Sequence, residues 1–340
     1  MRVLVTGGAG FIGSNFCGHV ARERPDWQLT VLDKLTYAGR RENLAELEEA
    51  GTVRFVHGDI CDPRAVREAM TGCSRVVNFA AETHVDRSIE DSAGFVRTDV
   101  EGVRVLLEEL RRTGGRLFLQ VSTDEVYGSV ETGRSTEDDP LQPRSPYSAS
   151  KAGGELLAMG YWHTHGTPVV VTRASNNYGP RQYPEKLIPL FITNAMEGRE
   201  LPVYGDGGNR RDWIYVEDHC AALLRVLEAA EPGSVYNIGA GQEHSNLEVT
   251  EAILEAVGAE RDLIRFVSDR PGHDRRYALD VSRMARDLGW KPTVDFARGL
   301  RMTVDWYAEH EDWWQAIKSG RFREYYERQY RERLDGARRE

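Results

Sequence analysis

The stretch Thr6-Gly7-Gly8-Ala9-Gly10-Phe11-Ile12-Gly13 decides how the rest of the chain is read. It follows the apolar run Val3-Leu4-Val5 and leads into Ser14–Glu23, whose pattern is helical. From Gly8 it reads G-x-G-x-x-G, and from Gly7 it reads G-x-x-G-x-x-G. Glycine is needed at these positions because a side chain would block three things: a tight turn, the approach of backbone to a pyrophosphate, and the contact of helix with strand. A helix that starts here offers free N–H groups and a partial positive charge to an anion. Asp33 closes a second apolar run, Gln28–Asp33, twenty residues past Gly13, which is the spacing of an acid that receives ribose hydroxyls. Such an acid repels a 2′-phosphate and favours NAD over NADP, although the adjacent Lys34 works against that preference. His57-Gly58-Asp59-Ile60 ends a third strand, where the adenine edge is expected. The competing reading is a glycine turn that binds nothing.

Working outward, Val3–Thr6, Gln28–Asp33, Val53–His57, Arg75–Ala80, Leu117–Ser122 and Val169–Thr172 read as strands. They alternate with helical segments such as Pro63–Met70 and Gly102–Arg112. This βαβα order predicts an α/β fold, a Rossmann-type doubly wound parallel sheet with helices on both faces. After Asn176 helices and loops dominate, and one later run, Ser234–Ile238, reads as a strand that rejoins the first sheet. The expected organisation is a nucleotide-binding domain over 1–175, with 212–240 returning to it. A smaller, mainly helical substrate-binding lobe would comprise 176–211 and 241–330. The charged, tyrosine-containing segment Arg321–Glu340 reads as a solvated helix that frays over 331–340. Trp306, Trp313 and Trp314 read as packing residues.

The chain has 340 residues, enough for a large core, with 40% hydrophobic and 29% charged residues, as in ordinary globular proteins. A net charge of −10 argues against a general nucleic-acid surface or an anionic membrane as partner. Cys17, Cys61, Cys73 and Cys220 show neither a C-x-x-C pair nor zinc spacing, so no metal site is expected and a reducing compartment is. No apolar run approaches a membrane span, and the chain opens directly into a strand, so a signal peptide is not expected and the location is read as cytoplasmic.

Two further patterns carry chemistry. Tyr147 and Lys151 stand four residues apart, on one face of a helix. A free tyrosine is a poor base at neutral pH, but a nearby ammonium and a cationic nicotinamide both favour its phenolate. Asp124 and Glu125 stand side by side at the end of the buried run Leu117–Ser122. Consecutive strand residues point to opposite faces, so the chain must leave strand geometry at Asp124 if both acids are to reach one substrate. Two acids pressed together in a partly dry site split their pKa values, which leaves one protonated while the other is a carboxylate.

The glycine stretch, Ser122-Thr123-Asp124-Glu125 and Tyr147…Lys151 together resemble an extended short-chain dehydrogenase/reductase. The similarity is closest to the dTDP-glucose 4,6-dehydratases. Ala80–Ser88, Arg173–Pro180, Pro184–Pro189, Arg211–His219 and Arg270–Tyr277 resemble further blocks of that family. Related epimerases and decarboxylases share the glycines and the Tyr/Lys pair but usually lack the adjacent acids. A non-catalytic NAD-binding protein would need neither. The resemblance implies a sugar-nucleotide substrate, bound NAD and a homodimer. It implies catalytic roles for Thr123, Asp124, Glu125, Tyr147 and Lys151. It places NAD on Gly7, Gly10, Phe11, Ile12, Gly13, Asp33, Lys34, Asp59, Ile60, Ala80, Ala81, Tyr147, Lys151 and Asn176. It places the sugar nucleotide on His84, Thr123, Asn176, Lys186, Leu187, Pro202, Tyr204, Arg211, Asn246 and His273. Arg181 departs from the family, which commonly has an aromatic residue there, and could add a phosphate contact or change the base preferred. Thr83 and Ala174 are milder departures.

Overall fold

Seven strands build the main sheet: β1 (Arg2–Thr6), β2 (Gln28–Asp33), β3 (Val53–His57), β4 (Arg75–Asn78), β5 (Leu117–Thr123), β6 (Val169–Ala174) and Val235–Ile238. Three short strands precede the last of these, β7 (Asn176–Tyr178), β8 (Leu201–Tyr204) and β9 (Arg210–Tyr215), which makes Val235–Ile238 β10. β11 (Glu243–Ser245) and β12 (Ile264–Val267) follow. The computed structural model describes residues 1–269 and 272–337. Arg270 and Pro271, part of the Arg270–Tyr277 block, and 338–340 lie outside the described residues.

The order in the main sheet is β10-β6-β5-β4-β1-β2-β3, and every neighbouring pair is parallel. The chain therefore reverses direction across the sheet between β1 and β4. In open parallel sheets that crevice, at the carboxyl ends of the strands, is where ligands bind. Side-chain alternation along β1 sends Val3 and Val5 into one core with Phe16, Val20 and Val226, and Leu4 into another with Val66, Leu106 and Phe118. Helices Phe11–Glu23 and Val216–Ala229 cover the first face; Pro63–Met70 and Val103–Thr113 cover the second. Both faces of the inner strands are buried, which is why these strands read as apolar runs; the edge strand β3 exposes Arg54 and His57. β4 stops two residues short of the expected Ala80, because the Ala80 N–H turns to the Thr6 hydroxyl (3.3 Å). β10 rejoins the sheet beside β6 as expected, whereas β9 pairs elsewhere.

The second lobe contains more strand than expected. β9 lies between β7 and β11 in a three-stranded sheet, and β8 pairs with β12. Around them pack helices Leu187–Met196, Asn246–Val257, Phe296–Glu309, Glu311–Lys318 and Arg321–Ala337, over an aromatic core that includes Tyr178, Trp213, Tyr307 and Trp314. Trp306 and Trp313 pack at its edge. The last helix is not a solvated one. Phe322, Tyr325, Tyr326, Tyr330 and Leu334 are buried, and the helix continues through Ala337. Its charges sit between apolar positions spaced three to four apart, so one face packs while the other meets water.

The glycine turn tolerates little change. A Cβ on Gly13 would lie 2.4 Å from the Gly7 carbonyl oxygen and 2.8 Å from Gly8 Cα, both backbone atoms. Gly13→Ala is therefore expected to destabilise the fold by about 1–3 kcal/mol in urea unfolding. Gly160→Ala, in the helix Pro146–His165, meets nothing within 4 Å and serves as the neutral or slightly stabilising control.

Candidate active site

The cofactor cleft follows from the glycine turn. Gly7 adopts φ +66°, and a Cβ there would stand 2.7 Å from the Ala80 backbone nitrogen, so the strand ends approach as only glycine allows. The helix Phe11–Glu23 has no side-chain cap, and its first residues line the cleft. Asp33 holds the loop in place: its carboxylate accepts from Ala9 N–H (3.0 Å) and Leu35 N–H (2.8 Å). Lys34 donates to Glu82 (2.9 Å) and Thr98 (3.3 Å) and stands 4.0 Å from Asp59. Its ammonium thus serves carboxylates of the cleft, not a 2′-phosphate.

Of the residues expected to hold the cofactor, Gly7, Gly10, Phe11, Ile12, Gly13, Asp33, Lys34, Asp59, Ile60, Ala80, Ala81, Tyr147 and Lys151 all line this cleft. Asn176 does not; it lines only the adjoining cavity. The cradle that a Cβ would fill, the uncapped helix and the acid at the end of β2 fit a pyrophosphate flanked by a ribose.

The adjacent acids sit on a turn. β5 ends at Thr123, and Asp124–Tyr127 winds into a 3-10 turn capped by the Thr123 hydroxyl, which accepts from Glu125 N–H (3.3 Å). The break in strand geometry occurs where the two acids require it. Asp124 is buried; its Oδ1 accepts from the Thr123 hydroxyl (3.2 Å) and its Oδ2 has no hydrogen-bond partner among the described residues. Burial first, then the Glu125 charge, pushes its carboxyl up to about 8, against the pull of Arg211. At neutral pH Asp124 therefore carries its proton. Glu125 lines the second cavity.

Tyr147 and Lys151 enter from the helix Pro146–His165, which Ser145 caps. Lys151 donates to the Val121 carbonyl (2.8 Å), and burial lowers its ammonium while Asp99 and Glu155 hold it up. Burial, then Glu125, Asp99 and Asp124, raise the Tyr147 phenol well above its usual range. The nearby Thr123 hydroxyl pulls the other way. Lys151 is aimed at the Val121 carbonyl, so in the protein alone the phenolate is not yet favoured. A cationic ring in the cleft would supply the missing positive charge.

The second cavity opens beside Glu125. His84, Asn176, Lys186, Leu187, Pro202, Tyr204, Arg211, Asn246 and His273 all line it; Thr123 lines neither cavity. Arg211 is buried, donates to the carbonyls of Arg210 and Asp274 (both 2.8 Å) and lies 4.4 Å over the Tyr277 ring. His84 takes φ +83°, with Tyr325 packed edge-on at 5.7 Å. Arg181 lines neither cavity and lies near enough to Glu46 and Glu217 to feel their charges.

Among the residues of this wall that sequence reasoning missed are Tyr277, Glu185 and Tyr330. Tyr277 lay within a quoted block but only its stacking under Arg211 marks it. Glu185 lines both cavities and holds Arg87 (3.1 Å) and Tyr37 (2.6 Å). Tyr330 comes from the helix that had been read as solvated, and stacks on Tyr204 at 6.1 Å.

Residues 4–303 match the family model for GDP-mannose 4,6 dehydratase. A dTDP-glucose 4,6-dehydratase of Streptomyces niveus is 53% identical, over 94% of this chain and 96% of its own. The low-salt glycan biosynthesis protein Agl12 of Haloferax volcanii is 55% identical, over 90% and 98%. Among solved structures, the dTDP-glucose 4,6-dehydratase DesIV of Streptomyces venezuelae, with NAD and TYD bound, superposes with a TM-score of 0.91 at 49% identity, covering 94% of this chain and 100% of that one. A UDP-glucose 4-epimerase of Thermus thermophilus with NAD reaches 0.85 at 34% identity, covering 91% and 100%.

Asp124 has a folded pKa of about 8 against an ordinary 3.8, so between those values the unfolded chain has released a proton that the folded one keeps. Stability due to this group is whole below about 4 and is lost as pH rises toward 8. Unfolding of wild type and Asp124→Asn across pH 4–9 should show wild type losing stability relative to the variant as pH rises. A constant difference would place the proton elsewhere.

Proposed function

This chain belongs to the GDP-mannose 4,6 dehydratase family, and we propose that within it the protein is an NAD-dependent dTDP-glucose 4,6-dehydratase. It is a hydro-lyase that makes dTDP-4-keto-6-deoxy-glucose, a step of deoxysugar biosynthesis. The observation that carries this reading is the turn Asp124–Tyr127, with one acid buried and protonated and its neighbour facing the cavity where a sugar would lie.

NAD, when bound, accepts the hydride from sugar C4 and returns it at C6. The chain's residues manage the protons. Tyr147 takes the C4 hydroxyl proton, and Thr123 hydrogen-bonds the C4 oxygen. The C4 ketone acidifies the C5 hydrogen, which Glu125 removes. Asp124 protonates the C6 hydroxyl, which leaves as water, and Glu125 returns its proton to C5. Each cycle leaves Tyr147 one proton richer and Asp124 one poorer. Return of that proton from Tyr147 to Asp124, through solvent or the product's own hydroxyls, resets the site for the next cycle. Glycines 7, 10 and 13 would cradle the pyrophosphate, Asp33 the adenosine ribose, and Asp59 and Ile60 the adenine. Arg211 and Lys186 suit the substrate diphosphate.

We assign NAD binding to 1–175 with part of 212–240, and the sugar nucleotide to 176–211 and 241–330, extended past 330 by the buried Leu334. The cysteines are free, which supports a cytoplasmic location. No helix of the described residues is long and apolar enough to cross a membrane. A homodimer is supported by Ile89, Val96 and Leu156, exposed by 50%, 55% and 61% on helices that pack together.

Purified protein incubated with dTDP-glucose and no added reductant should yield a product lighter by one water, detected by mass spectrometry. Asp124→Asn and Glu125→Gln should each lower that rate by at least about 100-fold. A product of unchanged mass but new stereochemistry would instead mark a 4-epimerase. For the dimer, light scattering should give twice the chain mass for wild type and the single-chain mass for Leu156→Glu; equal masses would remove this face as the interface.

A further inference from the structure

Arg173 lies on β6, directly beside Ser122 in the ladder and thus one residue before Thr123. Its guanidinium is buried and shared between two parts of the site. On one side it holds Glu155 through Nε (3.1 Å) and Nη2 (2.7 Å). On the other, Nη1 donates to the Tyr127 hydroxyl (2.6 Å) and to the Glu137 carbonyl (3.2 Å), with the guanidinium 4.8 Å from the Tyr127 ring centre. The Tyr127 hydroxyl passes its own proton to Asn237 Oδ1 (2.8 Å).

These partners are not scattered. Glu155 follows Tyr147 and Lys151 on the same helix at steps of four, so all three share one face. Tyr127 is the last residue of the turn that begins with Asp124 and Glu125. Arg173 thus bonds both the helix of Tyr147 and the turn of the two acids through one charged group. Burial in a dry interior makes each bond costly to leave unmade, so the pair of elements is held in one register.

Resting on the dehydratase reading, we propose that Arg173, with Glu155 and Tyr127, is a positioning clamp that keeps the Asp124–Glu125 turn in register with Tyr147 and Lys151, and so couples loss of water to oxidation at C4. The clamp touches no substrate. Its loss shifts the turn while leaving the helix, and therefore oxidation, in place. Misplacement of reacting groups by about 1 Å costs on the order of 100-fold.

Removing Arg173 outright would strand Glu155 and endanger folding, so the primary variant is Tyr127→Phe, which keeps the ring and deletes only the bridging hydroxyl. Arg173→Lys is the second, keeping the charge that Glu155 needs but not the two-sided fork. Rapid-quench mass spectrometry distinguishes sugar nucleotide lighter by two hydrogens, oxidised at C4, from product lighter by one water. In both variants oxidation should stay within about twofold of wild type while water loss falls by about 10- to 100-fold, with KM little changed. The oxidised sugar then accumulates, and exchange of the C5 hydrogen with deuterated solvent slows in step. Equal losses in oxidation and elimination, or no loss in either variant, would overturn the clamp. Wild type run alongside isolates the other premise: if it releases no water, the dehydratase reading is what fails.

Discussion

Two carboxyl groups joined by a single peptide unit, at the mouth of a strand buried on both faces, set the electrostatic problem that the site is built around. Left on the strand, they would face opposite layers of the protein. The 3-10 turn takes both off the strand, Asp124 buried and Glu125 on the cavity wall, and that difference keeps them chemically distinct. Asp124 sits where solvation cannot support its charge and keeps its proton. Glu125 faces the cavity. The Thr123 hydroxyl serves as cap and as partner of Asp124, so one small side chain fixes the start of the turn.

Because the electrostatics is local, the scaffold can be shared. The same fold can carry other reactions that move a hydride to and from a sugar. The similarity to a 4-epimerase structure extends over most of the chain. What separates elimination from epimerisation in this reading is a few residues after β5, with the supports that hold them. Fold alone would not distinguish the two reactions.

Much of this was legible in the sequence, for physical reasons. The inner strands of the main sheet are buried and so appear as apolar runs, and the glycine turn is constrained by backbone contacts that admit no side chain. β7 and β11 were not legible: Asn176–Tyr178 and Glu243–Ser245 have three residues each and no apolar alternation, so only their partner β9 defines them. The role of Tyr330 was hidden because Arg and Glu residues flank the tyrosines, and nothing in composition says which face is covered. Lys151 was read as acting on the phenol. Its bond to the Val121 carbonyl depends on a strand from another part of the chain. Arg181 was a departure whose surroundings, Glu46 and Glu217, lie far away in sequence.

Tyr330 in the substrate wall also has a bearing on synthesis. The seven-stranded sheet is complete once residue 238 has left the ribosome, and every cofactor-cleft side chain named above precedes that point. The second cavity then still lacks Asn246, His273, Tyr277 and Tyr330. The nascent chain can thus assemble its dinucleotide fold well before it can enclose a sugar nucleotide. A ribosome stalled in this interval would carry a half-enzyme, with the cleft formed and the substrate wall still unmade.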